Sequence, residues 1–561
     1  MRRCQTVHIT ACGCGNFLII AYRELRALEL RIHERLQELD PSRAQLSLDA
    51  ESRVHVRLSQ FYGFELEEWP ATIARTAMFL VEHQANQAVN LTLGYAVPML
   101  PLQDSARITV ANALQAEWSE IVPPTTSLYV MGNPPFLGDN TRGADQLADL
   151  RSAWGGNKVL SRLDYVTGWH AKTLALFRNI HYRGQWAFVT TNSITQGDQP
   201  ARLFEPIFED RWRIKFAHQT FAWSSESPGA AAVHCVIIGF TQDTKTSPRL
   251  FTYKTVKTAP EEVPVKVGIN AYLLDARNIL VASRSRENAL SPEVPAIING
   301  NKPADGGWLI IPPGDYREVS ADPVAARYLR TYVGARELLH NEQRWCLWLA
   351  DLDPADVQRS PVLRARLERV REFRAQSTQK ETNRMQATPH LFYFSSYTGK
   401  PTLCIPSVVS GTRPYFTAAH LDPEVIASNL TYTAVDEDGF AFALISSSAY
   451  VTWQKAIGGR LKSDLRFSAR NTWYTLPLPT VAPADREAIA AAGRGVLEAR
   501  ALHPERSLAE HYNPLAMDSA LVKAHDALDR LVDRAFGAKR KMTSNDERGK
   551  LLFDQYAAMT A

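Results

Sequence analysis

Through nearly the first half of the chain, short β-type runs alternate with stretches of helical periodicity, and most runs end in a turn built from Gly, Pro or Asn. Residues 9–11 lead into Gly13-Cys14-Gly15, after which apolar residues recur at helical spacing over 17–32. Residues 54–64 read as a strand. Pro70 opens a helix through about His83, proline being tolerated in a first turn. Further strands are expected at 108–111, 127–131, 186–190 and 233–240. Alternation of this kind implies a largely parallel sheet with helices on both faces. Such a sheet binds ligands outside the carboxyl ends of its strands, which makes the strand-ending turns the places to look for chemistry.

The rest of the chain has a different texture. Residues 242–248 form a polar connector, followed by irregular sequence punctuated by Pro and Gly. A basic helix is expected at 361–374, with Leu363, Leu367 and Val370 on one face. Between 358 and 384 there are eight basic and three acidic residues. Residues 484–561 read as mostly helical, with amphipathic stretches at 521–535 and 547–558. The expected parts are 1–243, 244–480 and 481–561, in keeping with a length of 561 residues. With 45% hydrophobic and 22% charged residues, disordered and collagen-like classes are excluded. The longest nearly apolar run, 230–240, falls short of the ~18–20 residues that span a bilayer. No signal-peptide core precedes it, so a cytoplasmic protein without membrane attachment is expected. Six scattered cysteines give neither a disulfide framework nor zinc knuckles, so reduced thiols and no metal are expected. A net charge of +4 neither requires nor excludes nucleic acid.

The sharpest motif is Asn133-Pro134-Pro135-Phe136, directly after a strand-like run. It reads as a plain proline-rich turn or as a binding loop. In the second reading, two prolines stiffen the loop and remove two N–H donors, leaving the Pro134 carbonyl and the Asn133 amide oxygen as acceptors. Two acceptors on an exocyclic amine would draw its lone pair out of conjugation, ready to attack a methyl group. Phe136 offers a flat face for a base. The turn at Ala11-Cys12-Gly13-Cys14-Gly15-Asn16-Phe17 lacks both the full dinucleotide fingerprint and the Gly-Lys-Ser/Thr of a phosphate loop. Its glycines would let the backbone approach an uncharged part of a cofactor. Glu65 ends the next strand, placed to accept from ribose hydroxyls or simply to face water. Asn112, after the third strand, reads as a turn residue or a partner for an adenine edge.

Together these four features resemble the class I S-adenosylmethionine-dependent methyltransferases, in the N6-adenine DNA branch. Longer stretches at 132–138, 151–158, 220–239, 342–347, 459–468, 524–528 and 551–556, with Asp164-Tyr165-Val166, resemble the MmeI-like (type IIL/IIG) family of combined restriction–modification enzymes. The likeness runs from about Ala11 to the end. It implies an α/β class I methyltransferase fold with a Rossmann-like sheet, then a mixed α/β target-recognition domain and a helical C-terminal domain. It implies that Ala11, Cys12, Gly13, Gly15, Asn16, Phe17, Glu65 and Asn112 bind S-adenosyl-L-methionine, and that Asn133, Pro134, Pro135 and Phe136 hold a flipped target adenine. Phe221 or Trp223, in a loop over 220–226, would be a second stacking surface, or else core packing. The family's first strand normally ends in an acidic residue and Pro, where this chain has Ile9 and Thr10. No segment supplies a nuclease centre, so a member lacking its N-terminal nuclease part is expected.

The partner implied is double-stranded DNA, in a restriction–modification or phage-defence setting. Phosphate contacts would come from Arg364, Arg366, Arg369 and Arg371, which position without specifying, unless these are simply a solvated face. Base reading would fall to Lys462 and Asp464, a donor for guanine and an acceptor for cytosine N4, or a surface ion pair. Two competitors stand beside a DNA methyltransferase. One is a methyltransferase of protein glutamine amides, which meets the same lone-pair problem. The other is a DNA-binding remnant that methylates nothing.

Overall fold

The computed structural model describes residues 6–9, 11–40, 54–93, 105–125, 127–139, 141–179, 181–223, 233–461 and 463–561. It divides into two compact units, residues 1–195 with 199–280, and residues 196–198 with 281–561.

The first unit is built on one sheet of β1 (Thr6–Ile9), β2 (Phe61–Glu65), β3 (Arg107–Val110), β4 (Leu128–Gly132), β5 (Gly184–Thr191), β6 (Arg213–Trp223), β7 (Val233–Thr241), β8 (Arg249–Thr252) and β9 (Glu261–Val263). Their order is β3-β2-β1-β4-β5-β7-β6-β8-β9. The first five strands are mutually parallel. Strand β7 is antiparallel to both β5 and β6, so β6 runs in the direction of β5. The chain winds outward from β1 to β3, then returns to β4 on the other side of β1. That reversal is a topological switch point, with its crevice at the carboxyl ends of β1 and β4.

Helices α1 (Asn16–Leu39) and α2 (Glu68–Leu93) cover one part of this sheet. Leu18, Tyr22, Arg26 and Glu29 recur at helical spacing and are buried. Leu18 and Tyr22 pack with Ala71, Ala74 and Met78 of α2 and with Val7, Phe61 and Ile108 of the strands. Arg26 is neutralised inside this layer by Glu29 at 3.2 Å and donates to Asn86 Oδ1 at 2.8 Å. A buried pair so satisfied is tolerated where a lone cation is not. After the short α3 (Trp118–Ile121) and α4 (Ala144–Ala153), helix α5 (Thr167–Arg178) is buried along most of its length. It sets His170 in an aromatic cage of Trp186, Phe188 and Phe240, the last stacked on Trp186 at 4.0 Å.

Several boundaries differ from the sequence reading. Only Phe61–Glu65 of the 54–64 run is strand, because Leu58–Gln60 forms a 3₁₀ turn whose Gln60 side chain accepts the Arg57 amide at 2.7 Å. The helix expected to end near His83 runs to Leu93. Phe221 and Trp223 lie in a strand, not a loop: β6 continues through them, opposite Cys235 and Val233 of β7. The sheet also passes the polar connector at 242–248, since β8 pairs with β6 and β9 with β8.

The second unit carries small sheets and helices. Leu363, Leu367 and Val370 of the helix Pro361–Ala375 are buried with Leu309, Ile311 and Leu347. Helices Pro483–Ala501, Ser519–Ala535 and Asn545–Thr560 belong to the same compact unit as the sheets before them. Asp529 accepts the Ser448 amide at 2.7 Å, and Arg500 donates to the Ala418 carbonyl at 2.9 Å. No helix among the described residues is long and apolar enough to cross a membrane.

Candidate active site

Four adjacent parallel strands deliver the candidate residues to one edge. Strand β1 leads into the turn Ala11–Gly15, β2 ends on Glu65, β3 leads to Asn112, and β4 leads to Asn133. Because β6 runs with β5, Phe221 and Trp223 arrive at this same carboxyl edge.

The Gly-rich turn is fixed by the backbone. Cys12 donates to the Phe64 carbonyl at 2.8 Å and Gly15 to the Cys12 carbonyl at 2.8 Å. Gly13 and Gly15 have φ of 53° and 88°, the left-handed region that glycine adopts without strain. A Cβ on Gly15 would meet Ala74 Cβ at 3.0 Å, whereas one on Gly13 would meet nothing within 4 Å. The turn is thus packed against α2 at Gly15 and open at Gly13. Glu65 Oε2 accepts the Gly13 amide at 2.8 Å, so the structure joins these two candidates directly. Burial, reinforced by the Glu65 charge, pushes the Cys12 thiol up to about 12, which keeps it a neutral packing group. Ala11, Asn16 and Phe17 flank the turn, Phe17 packing against the α1–α2 core.

The Asn112 side chain is engaged inside the protein. Its Nδ2 donates to Asp149 at 2.7 Å and its Oδ1 accepts the Leu114 amide at 3.0 Å. Gln115 Nε2 bonds the other Asp149 oxygen at 2.8 Å, and the Tyr165 hydroxyl lies 3.4 Å away. One N–H and one lone pair of Asn112 remain for a ligand.

The loop after β4 shows the opposite condition. Asn133 Oδ1 is buried and accepts no hydrogen bond from the described residues. Pro134 is buried, Pro135 exposed and Phe136 half-buried. The neighbouring residue is clamped on both sides. Tyr165 donates its amide to the Leu137 carbonyl at 3.0 Å, and the Asp164 carboxylate takes the Leu137 amide. Asp164 also accepts from Thr191 at 2.9 Å and Ser193 at 3.0 Å, just past β5. Burial raises its pKa against those bonds. Sequence reasoning assigned no role to Asp149, Asp164 or Tyr165. Asp164-Tyr165 stood out as a matching stretch, whereas Asp149 is a helical residue with no local signal. Phe221 stacks on Tyr253 at 5.4 Å, and Trp223 is 38% exposed. Among the described residues no group of His, Cys, Asp or Glu could hold a metal ion.

This layout has close relatives. The family descriptions "MmeI, DNA-methyltransferase domain", "MmeI, target recognition domain" and "MmeI, C-terminal domain" match residues 3–252, 275–480 and 481–561. A solved structure of the type IIL restriction-modification enzyme MmeI in complex with DNA is 36% identical, with a TM-score of 0.84 over 99% of this chain and 73% of that one. The chain belongs to the MmeI family. DNA methyltransferase A of Bacillus subtilis (strain 168) is 35% identical over 98% of this chain, which spans 61% of that relative's length.

Within the region matched to the MmeI target-recognition domain, the stretch 459–468 holds two short antiparallel strands of a hairpin. Arg460–Leu461 pairs with Asp464–Arg466, and Val408–Val409 pairs on the other side. Lys462 lies outside the described residues. Asp464 is half-buried, 3.4 Å from the Gly411 amide. The basic helix requires a correction to the expected phosphate contacts. Arg366 is an interior residue, bonded to the Trp308 carbonyl at 2.9 Å and paired with Asp315 at 2.8 Å. Arg364, Arg369 and Arg371 remain on the outside; Arg369 pairs with Glu372 and stacks over Trp308, and Arg371 pairs with Glu368.

Proposed function

We propose that this chain is a sequence-specific DNA methyltransferase that transfers a methyl group from S-adenosyl-L-methionine to adenine N6 of double-stranded DNA. The observation that carries the reading is the buried, unbonded Asn133 Oδ1 in an Asn-Pro-Pro-Phe loop at the switch point of the sheet. An orphaned buried acceptor costs stability unless a ligand supplies the missing donor. The exocyclic amine of adenine has two N–H groups to give.

The residues present suit the cofactor. The open backbone at Gly13 admits close approach, and Glu65 Oε1, which takes the Glu67 amide at 3.4 Å, keeps a lone pair for a ribose hydroxyl while Oε2 holds Gly13. S-adenosyl-L-methionine, when bound, supplies an electrophilic methyl group with a good leaving group. The protein's share is to hold the base. A base must leave the duplex to reach such a loop, at a cost of a few kcal/mol. Asn133 Oδ1 and the Pro134 carbonyl accept hydrogen bonds from the two N6 N–H groups, Phe136 stacks the ring, Phe221 or Trp223 supplies the second face, and the one proton that N6 sheds once methylated passes to water. Positioning and preformed acceptors, rather than a strong base, lower the barrier.

Site selection falls to the second unit, with Lys462 and Asp464 at one G·C pair and Arg364, Arg369 and Arg371 on phosphates. Incubating the protein with duplex DNA and methyl-labelled S-adenosyl-L-methionine, then digesting the DNA to nucleosides, tests the reading. Label in N6-methyl-2′-deoxyadenosine, absent with Asn133→Ala, is the expected result. Label in cytosine, or only in protein, overturns it.

A further inference from the structure

Most arginines buried in the second unit have visible partners. Arg366 faces Asp315, Arg548 pairs with Asp533 at 2.9 Å, and Arg344 with Glu337 at 3.0 Å. Arg374 is wrapped by five carbonyls, those of Pro303, Ala304, Met385, Thr388 and Leu391. Three cations behind the hairpin break this pattern. Arg413 is 9% exposed and uses one donor, Nη1 to Thr417 Oγ1 at 2.9 Å. Half-buried Arg460 makes one contact, Nη1 to the Ser463 carbonyl at 3.3 Å. Half-buried Lys455 donates to the Arg413 carbonyl at 3.4 Å.

Among the described residues one carboxylate, Asp464, acts on the group, through Arg413. Burial and the Arg460 charge lower the Lys455 pKa, and burial alone lowers that of Arg460. Gly411 sits between: a Cβ there would come within 2.4 Å of the Ser463 carbonyl and 3.5 Å of Arg460 Nη1. Its absence of side chain lets the loop and hairpin close around the guanidinium. Three partly desolvated cations against one carboxylate, with most N–H donors unspent, lack an anion.

We infer that Arg413, Lys455 and Arg460 form a seat for a backbone phosphate of the DNA duplex, directly behind the hairpin turn. The inference rests on the DNA reading above. A phosphate diester supplies the missing negative charge, and its oxygens accept from guanidinium and ammonium donors. Such a contact fixes the hairpin's register on the duplex and carries no sequence information itself.

The test is the salt dependence of duplex affinity for the full chain, for Arg460→Gln and for Lys455→Gln, each checked for its melting temperature. Each variant should lose affinity about equally for unrelated duplexes, and the slope of log K against log[salt] should fall by about one. A second arm adds inorganic phosphate at constant ionic strength. Protection of the full chain by free phosphate equal to that by duplex, lost in both variants, would overturn the inference in favour of a free-anion site. Unchanged slopes in folded variants would overturn it in favour of a structural trio. If the unaltered chain binds no duplex at any salt concentration, the reading under Proposed function fails and this inference with it.

Discussion

Asn133 and Arg374 are both withdrawn from water, yet their hydrogen bonds tell opposite stories. Asn133 Oδ1 has no partner, while Arg374 spends its guanidinium on five backbone carbonyls. The first condition costs free energy until a donor is supplied from outside the described residues; the second is architecture. Burial alone therefore does not mark function at either place. The count of unspent donors and acceptors is what separates the two.

The comparison is broken most directly by Asn133→Ala. Losing a preformed acceptor should lower methyl transfer by about 10²–10³-fold or more, measured as label incorporated into plasmid DNA. Duplex affinity should stay within a few-fold, and stability should stay within ~0.5 kcal/mol because no bond is lost. Near-normal turnover would remove Asn133 from the chemistry.

Arg374→Met is the converse. Five carbonyls lose their donor, and a destabilisation of about 3–5 kcal/mol is expected in denaturant unfolding of the second unit. A loss below ~1 kcal/mol would mean that the carbonyls find other partners, and the distinction between spent and unspent groups would lose its force.

How much of this was legible in the sequence depends on whether the signal was local. The strand ends were legible: the Gly-rich turn, Glu65, Asn112 and Asn133 each sit where a β-type run stops, and the sheet brings all four to one edge. Phe221 and Trp223 were assigned to a loop, because the Ser- and Gly-rich sequence after them reads as one. Cross-strand pairing with Val233 and Cys235 overrides that local signal. Asp149 carries no local signal, and Asp164 stands out only within a matching stretch that gives it no role. Their roles come from partners distant in sequence, Asn112 and Thr191. The basic helix misled for a related reason. Apolar periodicity placed Leu363, Leu367 and Val370 inside, but Arg366 lies on the same inner side and finds Asp315, far back in the chain.

His170 sharpens the comparison from another angle, since both its ring nitrogens are buried without partners in an aromatic cage. Burial drives its pKa down to about 3 from an ordinary 6.5. The folded protein thus resists a proton that the unfolded chain accepts. This contribution to stability is complete above pH 6.5 and is lost as pH falls toward 3. Melting temperatures of His170→Phe should fall less steeply than those of the unaltered chain across that window. Parallel curves would show that the cage admits the charged ring.

Phe136 should respond in a graded way. Tyr or Trp keeps a π-face and most of the activity, whereas Ala should lose stacking worth ~1–3 kcal/mol. Equal turnover in all three would make Phe136 packing alone, and would leave the base to the Asn133 side chain and the Pro134 carbonyl.

The smallest effects should come from the outer face of the basic helix, where the comparison between spent and unspent groups is least sharp. Arg371 is exposed and paired only with Glu368 one turn away, an interaction worth ~0–1 kcal/mol. Arg366, five residues earlier, is held by Asp315 and the Trp308 carbonyl. Arg371→Gln should therefore leave the melting temperature nearly unchanged while weakening duplex binding slightly and equally for all sequences, with a salt slope lower by up to about one. Arg366→Gln should do the reverse: about 1–3 kcal/mol of stability lost, and a salt slope like that of the unaltered chain. A slope that falls for Arg366→Gln and not for Arg371→Gln would mean that the helix turns its other side to DNA, and that the ion pair with Asp315 opens on binding.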